Sequence, residues 1–240
     1  SNQNCNYERV RVRALIRDGA AFGYPTISNA LRLSRAMAAI TEYLDEASAP
    51  IWQEAISVRP SGYAVIDMGK LEDLPEPMWQ QNIRRLIRQI GGRRYGASGD
   101  ALKRLRKKLM FEENSTLGGC QFIRSKQTGQ VSRYFVVREL GRHPSELSVR
   151  AGDDVIFAGC WRIRSSEAGR LFSAGRIGGQ PHIVTIISPP DAIASLPYFV
   201  RRVIPVLRTL DGALVYPQIS GIDHSDTSQK SLLSAQFLGW

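Results

Sequence analysis

Few residues in this chain are of a type and spacing that could do covalent or metal chemistry. His143, His182 and His224 are far apart in sequence, and none has a partner at the spacing of a metal site. Cys5, Cys120 and Cys160 are an odd, sparse set, read as reduced thiols rather than a disulfide framework. Gly118-Gly119-Cys120 has the small-residue setting of a nucleophile loop. A cysteine nucleophile needs a base or cation that makes the thiolate, and the sequence identifies none beside it. Cys160, within Phe157-Ala158-Gly159-Cys160-Trp161, reads as a small buried residue. Glu112 and Glu113 are adjacent, so on a helix they point in different directions and do not make an acid/base pair. There is no GxxxxGK[ST] loop, no GxGxxG after a strand, no HExxH and no CxxC. The expectation is therefore no catalytic residue and no metal ligand.

Cations are the residues that do cluster. Over 84–108 stand Arg84, Arg85, Arg88, Arg93, Arg94, Lys103, Arg104, Arg106, Lys107 and Lys108, against one acid, Asp100. Ordinary surface helices alternate opposite charges, which support one another one turn apart. Like charges at that spacing cost a few tenths of a kcal/mol per pair, and a polyanion relieves the repulsion. The whole chain carries a net charge of +10. Spread evenly that would be a mild excess; clustered, it predicts a polyanionic partner held in a salt-dependent way, nucleic acid first. A solvated face, an anionic membrane surface and an acidic protein are the competing readings. Arg9, Arg13 and Arg17 form a second basic ridge, four residues apart on a helix over 6–17.

The elements that must position the cations can be read from periodicity. Pro75 and Pro77 open a helix over about 76–91, where the missing N–H of proline costs nothing. Trp79, Ile83, Leu86, Ile87 and Ile90 form its buried stripe, with Arg84, Arg85 and Arg88 largely opposite. Gly91-Gly92 ends it, and 93–99 is a basic linker with one aromatic, Tyr95. Ser98 or Asp100 caps the next helix, with Leu102, Leu105 and Leu109 inward. Upstream, a helix from Thr26 or Ser28 to about Ala47 carries Leu33, Met37, Ile40 and Leu44 at spacings of 4, 3 and 4, read as a core stripe. Tyr63–Asp67 is a short extended piece.

After Asn114 the pattern turns to strands: 116–124, 131–140, 154–164, 170–177 and 182–188, separated by Gly, Ser, Pro and Asp. Asp191 caps a short helix to about Val203, and Asp211-Gly212 signals a hairpin between 206–208 and 213–216. The fold class expected is α+β, with a helical nucleic-acid-binding domain over 1–114 and a mainly antiparallel β-rich domain over 115–240. At 43% hydrophobic residues the chain can bury a core. No apolar run reaches the roughly 18–20 residues that span a bilayer, and the N-terminus lacks the apolar region of a signal peptide. These features read as cytoplasmic.

Four segments together resemble one family. Ser1-Asn2 followed by Tyr7-Glu8-Arg9-Val10-Arg11-Val12-Arg13 is similar to the stretch that closes the catalytic domain of tRNA(Ile)-lysidine synthetases, with Val10 where many members have Asn. Ser115-Thr116-Leu117-Gly118-Gly119-Cys120 resembles the start of the C-terminal part of alphaproteobacterial members. Phe135-Val136-Val137-Arg138-Glu139 resembles their strand ending in Arg-Glu. Ile204-Pro205-Val206-Leu207, Asp211-Gly212 and Val215-Tyr216-Pro217 resemble their terminal hairpin. The order and spacing agree across nearly the whole chain.

The resemblance implies a C-terminal portion whose residues 1–17 end the catalytic domain. The family's ATP-binding loop, Ser-Gly-Gly-x-Asp-Ser, does not occur in it, so this portion alone is expected to be inactive. It further implies a parent ligase that uses ATP with Mg²⁺ to adenylate the anticodon cytidine of tRNA(Ile) and then attaches lysine. Arg9 and Arg13 would lie near its cleft, facing triphosphate, lysine carboxylate or tRNA. The ten cations of 84–108 would hold the tRNA backbone, and Thr116–Cys120 would be the first strand of the β-rich domain. No cofactor is expected on this portion itself, self-association is left open, and no membrane partner is expected. A non-enzymatic RNA-binding module and an adaptor for acidic proteins are the alternatives.

Overall fold

The computed structural model describes residues 27–92, 97–125, 132–140, 146–175, 191–221 and 232–238. The chain divides into two units, Ser1–Ala49 and Pro50–Trp240. In the first, the described residues form the N-terminal part of helix α1, Ile27–Ala55. The helix runs through Pro50 and ends eight residues beyond the expected Ala47. Its apolar stripe is not a core stripe. Leu33, Met37 and Ile40 are 60%, 53% and 52% exposed. The 4-3-4 spacing states that one side of the helix is apolar; it does not state what covers that side.

The second unit begins with the end of α1, where Trp52 and Ala55 turn into a core. β1 (Ile56–Arg59) and β2 (Tyr63–Asp67) follow, then a 3-10 turn over Met68–Lys70, α2 (Glu76–Gly91) and α3 (Gly99–Met110). β3 (Ser115–Leu117), β4 (Cys120–Arg124) and β5 (Arg133–Arg138) complete an antiparallel five-stranded sheet in the order β1-β2-β5-β4-β3. Residues on both sides of position 114/115 thus share one sheet, with Ala64 opposite Val136 and Ile66 opposite Tyr134. Helices α2 and α3 cover it. Trp79, Ile83, Leu86 and Ile90 of α2 and Leu102, Leu105 and Leu109 of α3 enter one cluster with Ile66, Phe122 and Tyr134. The Tyr134 hydroxyl donates to the Leu109 carbonyl at 2.9 Å, so a buried polar group finds its partner at the end of α3. Burial raises the pKa of that phenol.

Two further four-stranded sheets make the rest of the unit. They use β6 (Leu147–Val149), β7 (Asp154–Phe157), β8 (Trp161–Ser165), β9 (Gly169–Ser173), β10 (Pro205–Thr209), β11 (Leu214–Val215), β12 (Gln218–Ile219) and β13 (Leu233–Phe237), with α4 (Asp191–Ala194) and α5 (Tyr198–Arg201) before β10. Their orders are β11-β10-β9-β6 and β12-β13-β8-β7. The β12–β13 pair is parallel and the others are antiparallel. The fold is α+β, a helical N-terminal region followed by several antiparallel sheets. Two segments read as single strands are hairpins, turned at Gly118-Gly119 and at Ala158-Gly159. Both turns use positive φ, at 62° and 83° in the first and at 58° and 74° in the second, which a strand pattern without a turn dipeptide such as Asn-Gly does not announce. The helix expected over 191–203 is two single turns divided at Pro197.

The two main core clusters meet through aromatic packing. Phe237 packs against both clusters, and its ring meets Trp161 edge-on at 5.3 Å. Gly62, at φ 78°, lies under the Trp161 ring: a Cβ there would come within 2.5 Å of it. The expected strand over 182–188 lies outside the described residues.

Candidate nucleic-acid interface

Helices α2 and α3 present the basic stretch, and the reasons they form are local. Pro77 sits in the first turn of α2, and Gly92 closes it in the left-handed conformation, φ 63°. Ser98 caps α3, its hydroxyl accepting from the Ala101 N–H at 3.4 Å. Leu102, Leu105 and Leu109 face inward. This leaves the lysines and arginines on the remaining arc.

The cations divide into two kinds. Arg84 donates to Gln80 Oε1 at 2.9 Å and, through Nε, to the Ala97 carbonyl at 3.4 Å. The Arg85 guanidinium lies 4.5 Å from the centre of the Trp52 ring. Arg106 donates through Nη2 to the Glu72 and Leu74 carbonyls, at 2.5 and 2.8 Å, and stacks 5.6 Å from the Trp79 ring centre. These three fasten α2 and α3 to neighbouring chain. Lys103 is shared, with Glu76 3.4 Å away; both side chains are well exposed, so the pair contributes little to stability. Arg88, Arg104, Lys107 and Lys108 are exposed, and their side chains have no ion pair or ring partner among the described residues. Arg93 and Arg94 of the linker, and Arg9 and Arg13, lie outside the described residues.

Of the acids near the free cations, two are themselves engaged, while Asp100 stands one turn before Arg104 on α3. Glu112 pairs with Arg124 at 2.5 Å, and Glu76 also accepts from Gln80 Nε2 at 2.6 Å. The surface of α3 therefore keeps a net positive field.

Two concave features flank α3. On one side a groove of about 470 Å³ is lined by Trp79, Lys103, Arg106, Lys107, Met110 and Phe111, among others. On the other, a cleft of about 410 Å³ brings Lys108 together with Asn114, Thr116 and Gln121 of the first hairpin. Met110 and Phe111 are the residues that sequence reasoning passed over. Both are large, apolar and exposed, at 56% and 68%. Their signal was available: they follow Leu109 directly, fall off the Leu102-Leu105-Leu109 stripe, and stand just beyond Lys107-Lys108.

The remaining chemical candidates take structural roles. Cys120 is buried, and its Sγ lies 3.7 Å from the Ile87 carbonyl. Its two glycines form the turn that packs on α2: a Cβ at Gly118 would come within 2.4 Å of Ile87, and one at Gly91 within 2.6 Å of the Gly118 carbonyl. Cys160 is buried as well, and desolvation pushes its thiol up to about 11, with nearby Arg138 opposing. A thiol so protonated is a poor nucleophile at neutral pH. Among the described residues no three of His, Cys, Asp and Glu come together as a metal site, and the three histidines lie outside them. No helix among the described residues is long and apolar enough to cross a membrane.

The outlying arginines of β8 are engaged too. Asp154 of β7 accepts from Arg162 at 2.8 Å and from Arg164 at 3.0 Å. These bonds, Arg162's first, hold its carboxyl down to about 2. The chain matches no protein-family profile, and no curated protein matches it.

Proposed function

We propose that this chain is the tRNA-holding C-terminal region of a tRNA(Ile)-lysidine synthetase. The observation that carries the binding part is the run of exposed cations along α3, Arg104, Lys107 and Lys108, with Arg88 on α2, none of them answered by an acid among the described residues. A face of one sign on a rigid helix suits a phosphate backbone, giving affinity and position rather than sequence choice. The order of motifs at 1–13, 115–120, 135–139 and 204–217 supports the family assignment. In this reading the parent attaches lysine to the anticodon cytidine with ATP and Mg²⁺, held by its own nucleotide-binding loop. The described residues supply neither such a loop nor a cluster of metal ligands, so no step of that chemistry is assigned to them. Their work is to grip the tRNA.

Two experiments test this. Filter binding of tRNA(Ile) to the 240-residue chain at rising salt should show affinity falling steeply, and R104E/K107E/K108E should weaken it sharply. Affinity indifferent to both would refute the phosphate grip. Mass spectrometry of tRNA(Ile) nucleosides after incubation with the gene's complete product, ATP and lysine should reveal lysidine. Binding without that product would favour the alternative of a non-enzymatic RNA-binding module.

A further inference from the structure

The groove beside α3 differs from the rest of the basic surface in carrying large exposed apolar residues among its cations. Met110 and Phe111 are both more than half exposed, and they stand at one end of the same helix that carries Lys103 and Lys107. A single exposed apolar residue is ordinary. Two large ones lining a concave site with three cations and one acid, Glu76, which shares Lys103, are a combination that a flat phosphate-binding face does not require. Trp79 is fully buried in the wall of this groove, and its indole Nε1 has no hydrogen-bond partner. The Arg106 guanidinium stands over its ring, so the exposed aromatic face of the groove is that of Phe111.

We infer that this groove receives an unpaired nucleobase of a single-stranded RNA segment, stacked on Phe111, while Lys103 and Lys107 take the adjoining phosphates. The inference rests on the proposed polyanion-binding reading and adds to it a place where a base, not only the backbone, is held. Every base has an apolar π-face and a polar edge, which suits an aromatic platform rimmed by donors. A duplex offers no such face, because its bases are stacked on one another. Lys103 and Lys107 are one turn apart on α3 and share a side, and Arg104 and Lys108 repeat that spacing beyond them. A regular series of cations matches a regular series of phosphates better than it matches the one or two carboxylates of an acidic peptide.

The test uses the 240-residue chain and fluorescence anisotropy at fixed low salt, with a labelled single-stranded RNA of about a dozen nucleotides and a blunt duplex of the same sequence. Phe111→Leu keeps an apolar side chain and removes the stacking ring. It should weaken the single strand roughly 5- to 100-fold and leave the duplex unchanged. Phe111→Trp should restore single-strand binding. Because Phe111 is exposed, both variants should melt with the parent chain. If F111L weakens neither RNA, or weakens both equally, while salt-dependent binding persists, the base site is wrong and the phosphate grip stands. If neither RNA binds the parent chain at any salt, both fall. Displacement of an environment-sensitive dye placed in the groove by an acidic aromatic peptide, with no displacement by single-stranded RNA, would give the site to a protein partner.

Discussion

Helices α2 and α3 look alike in sequence and differ in what their cations do. Each has a clean apolar stripe and a basic remainder. Yet Arg84 and Arg85 of α2 are only partly exposed and tied to Gln80, Ala97 and Trp52, whereas Arg104, Lys107 and Lys108 of α3 stand in solvent. Arg106 is the exception on α3, bonded to the Glu72 and Leu74 carbonyls. The difference lies in the side chains as much as in the positions. The inward-tied cations are all arginines, whose planar donors can bridge carbonyls and lie on rings; two of the three free cations on α3 are lysines, compact charges that stay hydrated. A count of positive charge treats the two helices as one surface. The structure makes one largely a fastening and the other largely a face.

That contrast can be broken most decisively by reversing the face. R88E/R104E/K107E/K108E should lower tRNA affinity on the order of 100-fold or more at low salt, with an unchanged melting temperature. Equal loss from R84Q/R85Q, with no loss of stability, would erase the distinction. A sharper version sits within α3. Arg106→Ala removes two bonds from a charged donor to backbone carbonyls and should destabilise the chain by about 2 kcal/mol, while Lys107→Ala one position on should change stability by less than about 0.5 kcal/mol. Denaturant melts of the two variants check this directly. Arg85→Ala should follow with a smaller loss of roughly 1 kcal/mol, from the ring contact with Trp52.

The smallest effect belongs to Asp154 of β7, which occupies Arg162 and Arg164 of β8. Its carboxyl is lowered from 3.8 to about 2. A depressed carboxylate contributes stability that is fully present above the ordinary value and lost as pH falls through the lowered one. The contribution should therefore fade between about pH 3.8 and pH 2, and Asp154→Asn should remove that acid limb. Carboxyl chemical shifts followed by NMR would show it; a midpoint near the ordinary value would mean that the Arg162 and Arg164 bonds do not persist in solution.

What the sequence made legible follows from local rules. The span of α2, its buried stripe, the Ser98 cap, the extended piece at 63–67 and the hairpin about Asp211-Gly212 all depend on residues within a turn or two of one another. What it hid depends on distance. Arg85 meets Trp52, and Arg106 meets Glu72, across more than thirty residues of chain. Pairing of β2 with β5, Tyr63 opposite Val137 and Asp67 opposite Arg133, crosses a still wider gap, and no strand pattern announces its partner. The α1 stripe shows the converse limit, since a periodic apolar face is a local fact and its covering is not. Met110 and Phe111 lay in plain view, off the stripe and beside lysines. Their exposure, like the covering of α1, depends on what the fold brings beside them.

The central claim is that the free cations, three of them on α3, hold the polyanion, and that the tied Arg84 and Arg85 of α2 do not. The direct measurement is the slope of log affinity for tRNA(Ile) against log salt, between about 50 and 300 mM, for the parent chain, R104Q/K107Q/K108Q and R84Q/R85Q. Each lost phosphate contact lowers the slope by about one. The account predicts a slope reduced by about two to three in the α3 variant and unchanged in the α2 variant, even where the latter melts earlier. An α3 variant that kept the parent slope, or an α2 variant that lost as much, would contradict it.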